Sequence, residues 1–405
     1  MHYDYVIIGG GIVGVSTAWQ LQQRWPQKNI LLLEKEDQHS QHQTGHNSGV
    51  IHAGVYYAPG SLKAQFCKEG AAATIEFCKA NNIAFKQCGK LLVATDRAEY
   101  HRMVALAERC RQNDIEIELL DAKQLAEREP NVSGVAAIYV PASGIVNYRL
   151  VCEAMAHQFA EAGGDIRLGH KAVRMLENDD HIRIDIESDA GKLSVKADFL
   201  IACAGLAADR VARMLNIATD FRIVPFRGEY YRLASHREEV VKHLIYPIPD
   251  PDLPFLGVHL TRMIDGSITI GPNAVLGFKR EGYGRLNFDL VDSWETLSFP
   301  GFWKLAKQHW RSAIEEFKNA WSKQHYLQQA QKYCPQLQLD DLQDYPAGIR
   351  AQAVMNDGTL VHDFLFAESP RSLHVCNAPS PAATSAIPIG KHICERVNAR
   401  EQPQP

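Results

Sequence analysis

The stretch TGHNSGVIHAGVYY, residues 44–57, holds two histidines, three glycines and two tyrosines in fourteen residues. That mixture fits neither a regular strand nor a helix. Glycine backbone can lie flat against a bound ligand, because no side chain holds it off. A neutral imidazole can take up a proton near neutral pH, its ordinary pKa being about 6.5. His52 is therefore a candidate acid–base group, set against the plainer reading of a histidine that pins a loop. His259, in FLGVHLT, is a second candidate; strand alternation gives it a face different from Val258 and Leu260, against the plainer reading of a core histidine.

Such groups need elements to position them, and the chain opens with one. YVIIGGGIVGVSTAWQL is a β-branched run, then glycines, then a helical pattern. Gly9, Gly11 and Gly14 fit G-x-G-x-x-G. The first glycine permits a tight turn, the second lets a pyrophosphate approach the backbone, and the third lets helix and strand pack closely. The helix N-terminus then offers N–H groups and partial positive charge to phosphates. A second apolar strand, NILLLE, ends at Glu34, twenty residues past Gly14, where a carboxylate can accept from ribose hydroxyls. FAD and NAD sites share this fingerprint, so it does not choose between them. An extended FAD needs a further loop just after Glu34, and residues 44–57 stand there.

The chain has 405 residues, 46% hydrophobic, which is too long for one compact core. A net charge of -4, from 43 basic and 47 acidic residues, gives no electrostatic footprint for nucleic acid. Nine cysteines are scattered without a C-x-x-C pair, as expected of free thiols in a reducing compartment, and no metal site is expected. The N-terminus has no cationic leader, and no run nears the ~20 apolar residues of a spanning helix, so a cytoplasmic protein is expected.

Beyond the loop, helical patterns at residues 61–82 and 97–114 flank a strand-like KLLVATD. Residues 199–204 form an apolar strand ending at Gly205, read as a late member of the nucleotide-binding sheet. Residues 221–283 are β-rich, with Asp265-Gly266 a hairpin turn signal; helices follow from about residue 290, and a strand, a small-residue loop and a helix close the chain. The expected class is α/β (α+β overall). A Rossmann-like domain would be assembled from residues 1–85, 140–220 and 340–400, with residues 86–139 and 221–339 forming an inserted mixed-sheet substrate or cap domain.

Several long strings carry a family resemblance: HQTGHNSGVIHAGVYYAPGSLKA, PFRGEYYRL, YPAGIRAQAV and NAPSPAATSAIPIG among them. The chain resembles the FAD-dependent oxidoreductases of the glycine and D-amino-acid oxidase type over nearly its whole length. Within that family it is most similar to members that oxidise L-2-hydroxyglutarate to 2-oxoglutarate. The resemblance implies non-covalent FAD, hydride transfer to flavin N5, a small dicarboxylate substrate, and electrons leaving for a membrane quinone or oxygen. Amine or amino-acid oxidation on the same fold, and flavin binding without turnover, are the competing readings.

The resemblance also implies roles. His52 and His259 become the catalytic candidates. Arg350 is the first choice for a substrate carboxylate, because a guanidinium fork matches that group; Arg227, Tyr57, Tyr230 and Lys63 follow. Thr44, His46, Asn47 and Ser48 in the loop, with Val173 and Gly205, are expected at the cofactor. Pro379, Ser380, Ala382 and Ala383 are expected to offer small side chains and backbone N–H groups near the flavin. Finally, Trp303, Trp310 and Phe317 recur every seven residues in a segment rich in lysine, within residues 299–326. That stripe is either an interfacial helix on a membrane or a helix packed on the inserted domain.

Overall fold

A computed structural model describes residues 1–250, 257–284, 287–308 and 322–401. Two sheets divide the chain. The first is built on the parallel strands His2–Ile8 and Ile30–Leu33, with Gly191–Ala202 beside His2–Ile8 and Asp165–Arg167 outside Ile30–Leu33. Every residue of Ile30–Leu33 is buried, as a strand covered on both faces requires. Alternation sorts the side chains. Tyr5, Ile7, Ile30 and Leu32 pack on helices Ile12–Arg24, Tyr148–Glu161 and Ala386–Glu401. Val6, Ile8, Leu31 and Leu33 pack on Met175, Ile182, Ile184 and Val195 of an antiparallel extension. Strand Ser372–Asn377 joins the sheet beside Gly191–Ala202 in parallel, so early, middle and late segments meet in one layer.

The second sheet runs Val275–Leu276, Phe221–Leu233, Ile268–Gly271, His259–Arg262, Leu244–Pro247, Lys90–Ala94, Ala136–Val140, Glu118–Asp121. The hairpin signalled by Asp265-Gly266 is present: Gly266 takes φ +89°, and Asp265 accepts from the Ser267 N–H and hydroxyl. Strand Leu342–Met355 pairs antiparallel along Phe221–Leu233, from Phe221 opposite Met355 to Leu233 opposite Leu342. This corrects one expected boundary. The return to the nucleotide domain was expected at residue 340, yet residues 342–355 belong to the second sheet. An apolar strand reads alike in either layer, and only its long-range pairing decides.

Strands Val50–Ile51, Gly144–Val146 and Phe85–Lys86 make a small third sheet. It holds the histidine-bearing loop next to helix Leu62–Ala80, which Ser61 caps by accepting from the Ala64 N–H. Of the aromatic segment, helix Pro300–Gln308 is described and its Trp303 is exposed. Trp310 and Phe317 lie outside the described residues. Among the described residues no helix is long and apolar enough to cross a membrane.

Candidate functional site

A cavity of about 1180 Å³ runs from the glycine turn of the first sheet to one face of the second. It exceeds the ~300–1,000 Å³ usual for small-ligand pockets and so has room for a dinucleotide and a small acid.

The nucleotide end is made of backbone. Gly9 takes φ +113°, and a Cβ there would meet the Cys203 carbonyl oxygen at 2.4 Å. A Cβ on Gly14 would stand 2.0 Å from the Gly9 carbonyl oxygen, so Gly14 serves strand–helix packing and does not line the cavity. Helix Ile12–Arg24 starts at Gly11, which has no side chain to cap it, and carries no acidic residue in its first turn. Its positive end is thus left for an anion, which is what a pyrophosphate needs. Glu34 lines the cavity and accepts from the N–H groups of Gly10 at 2.6 Å and Glu36 at 2.9 Å. A carboxylate has acceptor capacity beyond two bonds, so ribose hydroxyls fit beside them. These features suit an adenine dinucleotide.

The loop supplies the middle of the cavity. Thr44 accepts from the Ile12 N–H at 3.0 Å, tying the loop to the helix start. Asn47 donates to the Gln43 and Thr44 carbonyls and accepts from the Gly49 N–H, fixing the turn. His46 stacks on the Tyr283 ring at 3.7 Å and lines the cavity, as do Ser48 and Gly205. Opposite lie Pro379, Ser380, Ala382 and Ala383. Thr384, which the sequence did not single out, joins the two walls: its hydroxyl accepts from the His52 N–H at 3.2 Å and bonds the Tyr148 hydroxyl at 2.8 Å. Val173 departs from expectation. It sits where the pairing of Lys171–Glu177 slips between Ala172 and Arg174, and Ala172 lines the cavity in its place.

The far end gathers side chains. His52, Tyr57, Lys63, Tyr230, His259 and Arg350 all line it. His259 Nδ1 lies 3.0 Å from the Gly257 carbonyl oxygen, which makes Nδ1 the protonated nitrogen and leaves Nε2 as acceptor. Its ring stacks on Tyr246 at 3.9 Å. Burial pushes its pKa down to about 3, and burial with the nearby Lys90 cation holds His52 well below the usual imidazole value. Both rings are therefore neutral at pH 7 and able to accept a proton. Lys63 donates to the His362 carbonyl, and burial lowers its pKa to about 8. Burial also keeps the Tyr57 and Tyr230 phenols protonated, hence donors.

Arg227 does not belong to this group. It is buried, does not line the cavity, and donates to the Gly284 carbonyl at 2.6 Å. Strand parity explains the correction: its neighbour Gly228 and then Tyr230 take the cavity face, which turns Arg227 to the other side. Sequence reading also missed Tyr56, Tyr246 and Lys90. Lys90 opens an apolar strand next to a glycine and reads as a surface lysine; nothing local marks its burial. Elsewhere, Glu36, His42 and Glu281 converge within 4.8 Å, but the Lys35 ammonium bridges both carboxylates, so a cation already stands among them.

Residues 4–396 match the FAD dependent oxidoreductase family. The L-2-hydroxyglutarate dehydrogenase of Escherichia coli K12 is 55% identical over 395 residues, covering 98% of this chain and 93% of that one. The mitochondrial L-2-hydroxyglutarate dehydrogenase of Homo sapiens is 42% identical, covering 98% and 89%. Among solved structures, dithionite-reduced L-alpha-glycerophosphate oxidase from Mycoplasma pneumoniae with FAD bound superposes with a TM-score of 0.80 at 20% identity, covering 98% of this chain and 95% of that one. Glycine oxidase from Geobacillus kaustophilus gives 0.73 at 15% identity, covering 100% and 96%. These two share the fold: a nucleotide-binding domain joined to a mixed-sheet domain. With the fold, the glycine turn and the long identities in agreement, the chain belongs to the FAD-dependent oxidoreductase family and groups within it with the L-2-hydroxyglutarate dehydrogenases.

Proposed function

We propose that this chain uses FAD to oxidise L-2-hydroxyglutarate to 2-oxoglutarate. The observation that carries the reading is the far end of the cavity, where two neutral imidazoles stand among cations at the end remote from the dinucleotide motif. Bound FAD would supply the two-electron acceptor for the hydride of substrate C2. The chain's own residues do the rest. Arg350 receives the C1 carboxylate through its planar fork and so aims C2, with Tyr57 and Tyr230 as hydroxyl donors beside it. The C2 hydroxyl proton passes to an imidazole of the His52–His259 pair, which is neutral at pH 7 and so has a free ring nitrogen to receive it. Helix Ile12–Arg24 and the loop at residues 44–48 hold the dinucleotide non-covalently, and acid precipitation should release the yellow colour into the supernatant.

The test is anaerobic. L-2-Hydroxyglutarate should bleach the flavin, while sarcosine and glycerol 3-phosphate should not. Bleaching by sarcosine alone would assign the chain to amine oxidation instead.

For the electron acceptor we propose a membrane quinone, with oxygen a slower outlet. Support comes from an apolar face: Leu290, Val291, Trp294 and Leu297 on helix Leu290–Leu297 and Trp303 on the next helix are all exposed, near Lys304 and Lys307. Part of this face lies outside the expected stripe at residues 299–326. Co-sedimentation with anionic liposomes that Trp294→Ser abolishes is the expected result; no sedimentation of the native protein would refute membrane contact.

A further inference from the structure

Among the described residues, six lysines and arginines line the long cavity, and their surroundings differ. Toward the nucleotide end, Lys35 is paired with Glu36 and Glu281, and Arg210 with Asp292 and Glu295. Arg109 and Lys171 are exposed, so water and salt screen their charge. That leaves Arg350 and Lys63 at the far end. Arg350 takes the C1 carboxylate in the function proposed above, and Lys63 has no part in it.

Lys63 stands in the first turn of helix Leu62–Ala80, at the rim of the cavity beside exposed Ala58. Its ammonium lies 4.9 Å from the Tyr57 ring centroid and donates to the His362 carbonyl at 3.2 Å, a bond that solvent reaches. Tyr57 and His362 both line the cavity, so the charged tip of Lys63 lies in the cavity wall. Partial burial lowers its pKa to about 8, which leaves it mostly charged at pH 7.

No carboxylate stands within ion-pair distance of this ammonium among the described residues. Asp363, next to His362, accepts from the N–H groups of Leu62 at 3.1 Å, Lys63 at 3.0 Å and Phe364 at 2.8 Å, so its oxygens are turned to the helix start. The Arg350 guanidinium meanwhile acts on Lys63 as a like charge. Two cations that repel one another thus border one space, and a ligand with a negative group at each end would relieve both.

We propose that Lys63 is the subsite for the second, C5 carboxylate of a 2-hydroxy diacid whose C1 carboxylate lies on Arg350. An ammonium has three N–H donors; the His362 carbonyl takes one and two remain for the carboxylate. The Tyr57 ring steadies the ammonium from one side. Lys63 takes no proton in the reaction. Its charge makes a dianion preferred over a monoanion. The subsite rests on the function proposed above and deepens it, because it explains which 2-hydroxy acid is chosen.

The experiment uses the flavin-loaded full chain, anaerobically, with two acids of equal chain length: L-2-hydroxyglutarate and L-2-hydroxypentanoate, which lacks the C5 carboxylate. The native protein should strongly prefer the diacid, read from the concentration dependence of flavin reduction. Lys63→Met should cut that preference by about 10–100-fold, as expected for loss of a charged hydrogen-bond donor. Lys63→Gln, which keeps a donor for the His362 carbonyl but no charge, should cut it to a similar extent, and Lys63→Arg should restore much of it. An unchanged ratio in both Lys63→Met and Lys63→Gln overturns the subsite, as does an equal loss toward both acids. If Lys63→Met fails to retain flavin, the ratio in Lys63→Gln decides by the same rule. A native protein reduced by neither acid overturns the proposed function itself, a result distinct from the others.

Discussion

The two ends of the cavity are built on opposite plans. The nucleotide end is mostly main chain: a turn at Gly9, a helix start at Gly11, and Glu34 and Thr44 bonding backbone N–H groups. Its parts lie within about the first fifty residues. The diacid end is mostly side chain, drawn from residues as far apart as His52, Tyr230, His259 and Arg350. Main-chain sites depend on local conformation and tolerate few residue types. Side-chain sites depend on which strands pair, and so on long-range structure. The first kind fixes how tightly a cofactor is held, and the second fixes what is oxidised.

That division can be broken by substitution. The largest effect should come from the imidazoles. His52→Ala and His259→Ala should both keep flavin, and whichever removes the base should slow anaerobic flavin reduction by about 10²–10⁴-fold. Loss of flavin in either variant would show that the two ends are not separable. Arg350→Ala should next weaken diacid binding by about 2–5 kcal/mol, read as a raised half-saturating concentration. Gly14→Val strikes the other end: with backbone 2.0 Å from the new Cβ, stability should fall by at least ~1–3 kcal/mol and flavin content should drop. Arg227→Ala sharpens the boundary. It should cost about 1–3 kcal/mol of stability through lost buried bonding, with reduction kinetics nearly native.

Acid sensitivity also follows from the diacid end. His259 has a folded pKa of about 3, and His52 shifts in the same direction. An unfolded histidine titrates near 6.5. Between these values the unfolded chain binds more protons, so stability is full above pH ~6.5 and declines as pH falls toward 3. Each fully titrating group contributes up to about 1.4 kcal/mol per pH unit. Thermal melts of the flavin-loaded protein from pH 7 to 5 should show this slope, and His259→Phe should flatten it.

How much of this was legible in sequence follows the same division. Gly9, Gly11, Gly14 and Glu34 could be placed by spacing, because each answers a local geometric demand. The turn at Asp265-Gly266 and the cap at Ser61 were legible for the same reason. Arg350 was the first choice and Arg227 the second for a substrate carboxylate, and pairing of their strands with the parity of each position sent only Arg350 into the cavity. Lys90 was invisible because its burial depends on Tyr56 and Tyr246, which arrive from other elements. The strand Leu342–Met355 was assigned to the wrong layer because apolar alternation does not name a partner.

The most direct measurement of the central claim is an anaerobic titration of the flavin-loaded protein with L-2-hydroxyglutarate. Stoichiometric bleaching of the flavin, with an equal amount of 2-oxoglutarate formed, is the predicted result. A flavin that stays oxidised through an excess of the diacid would contradict it.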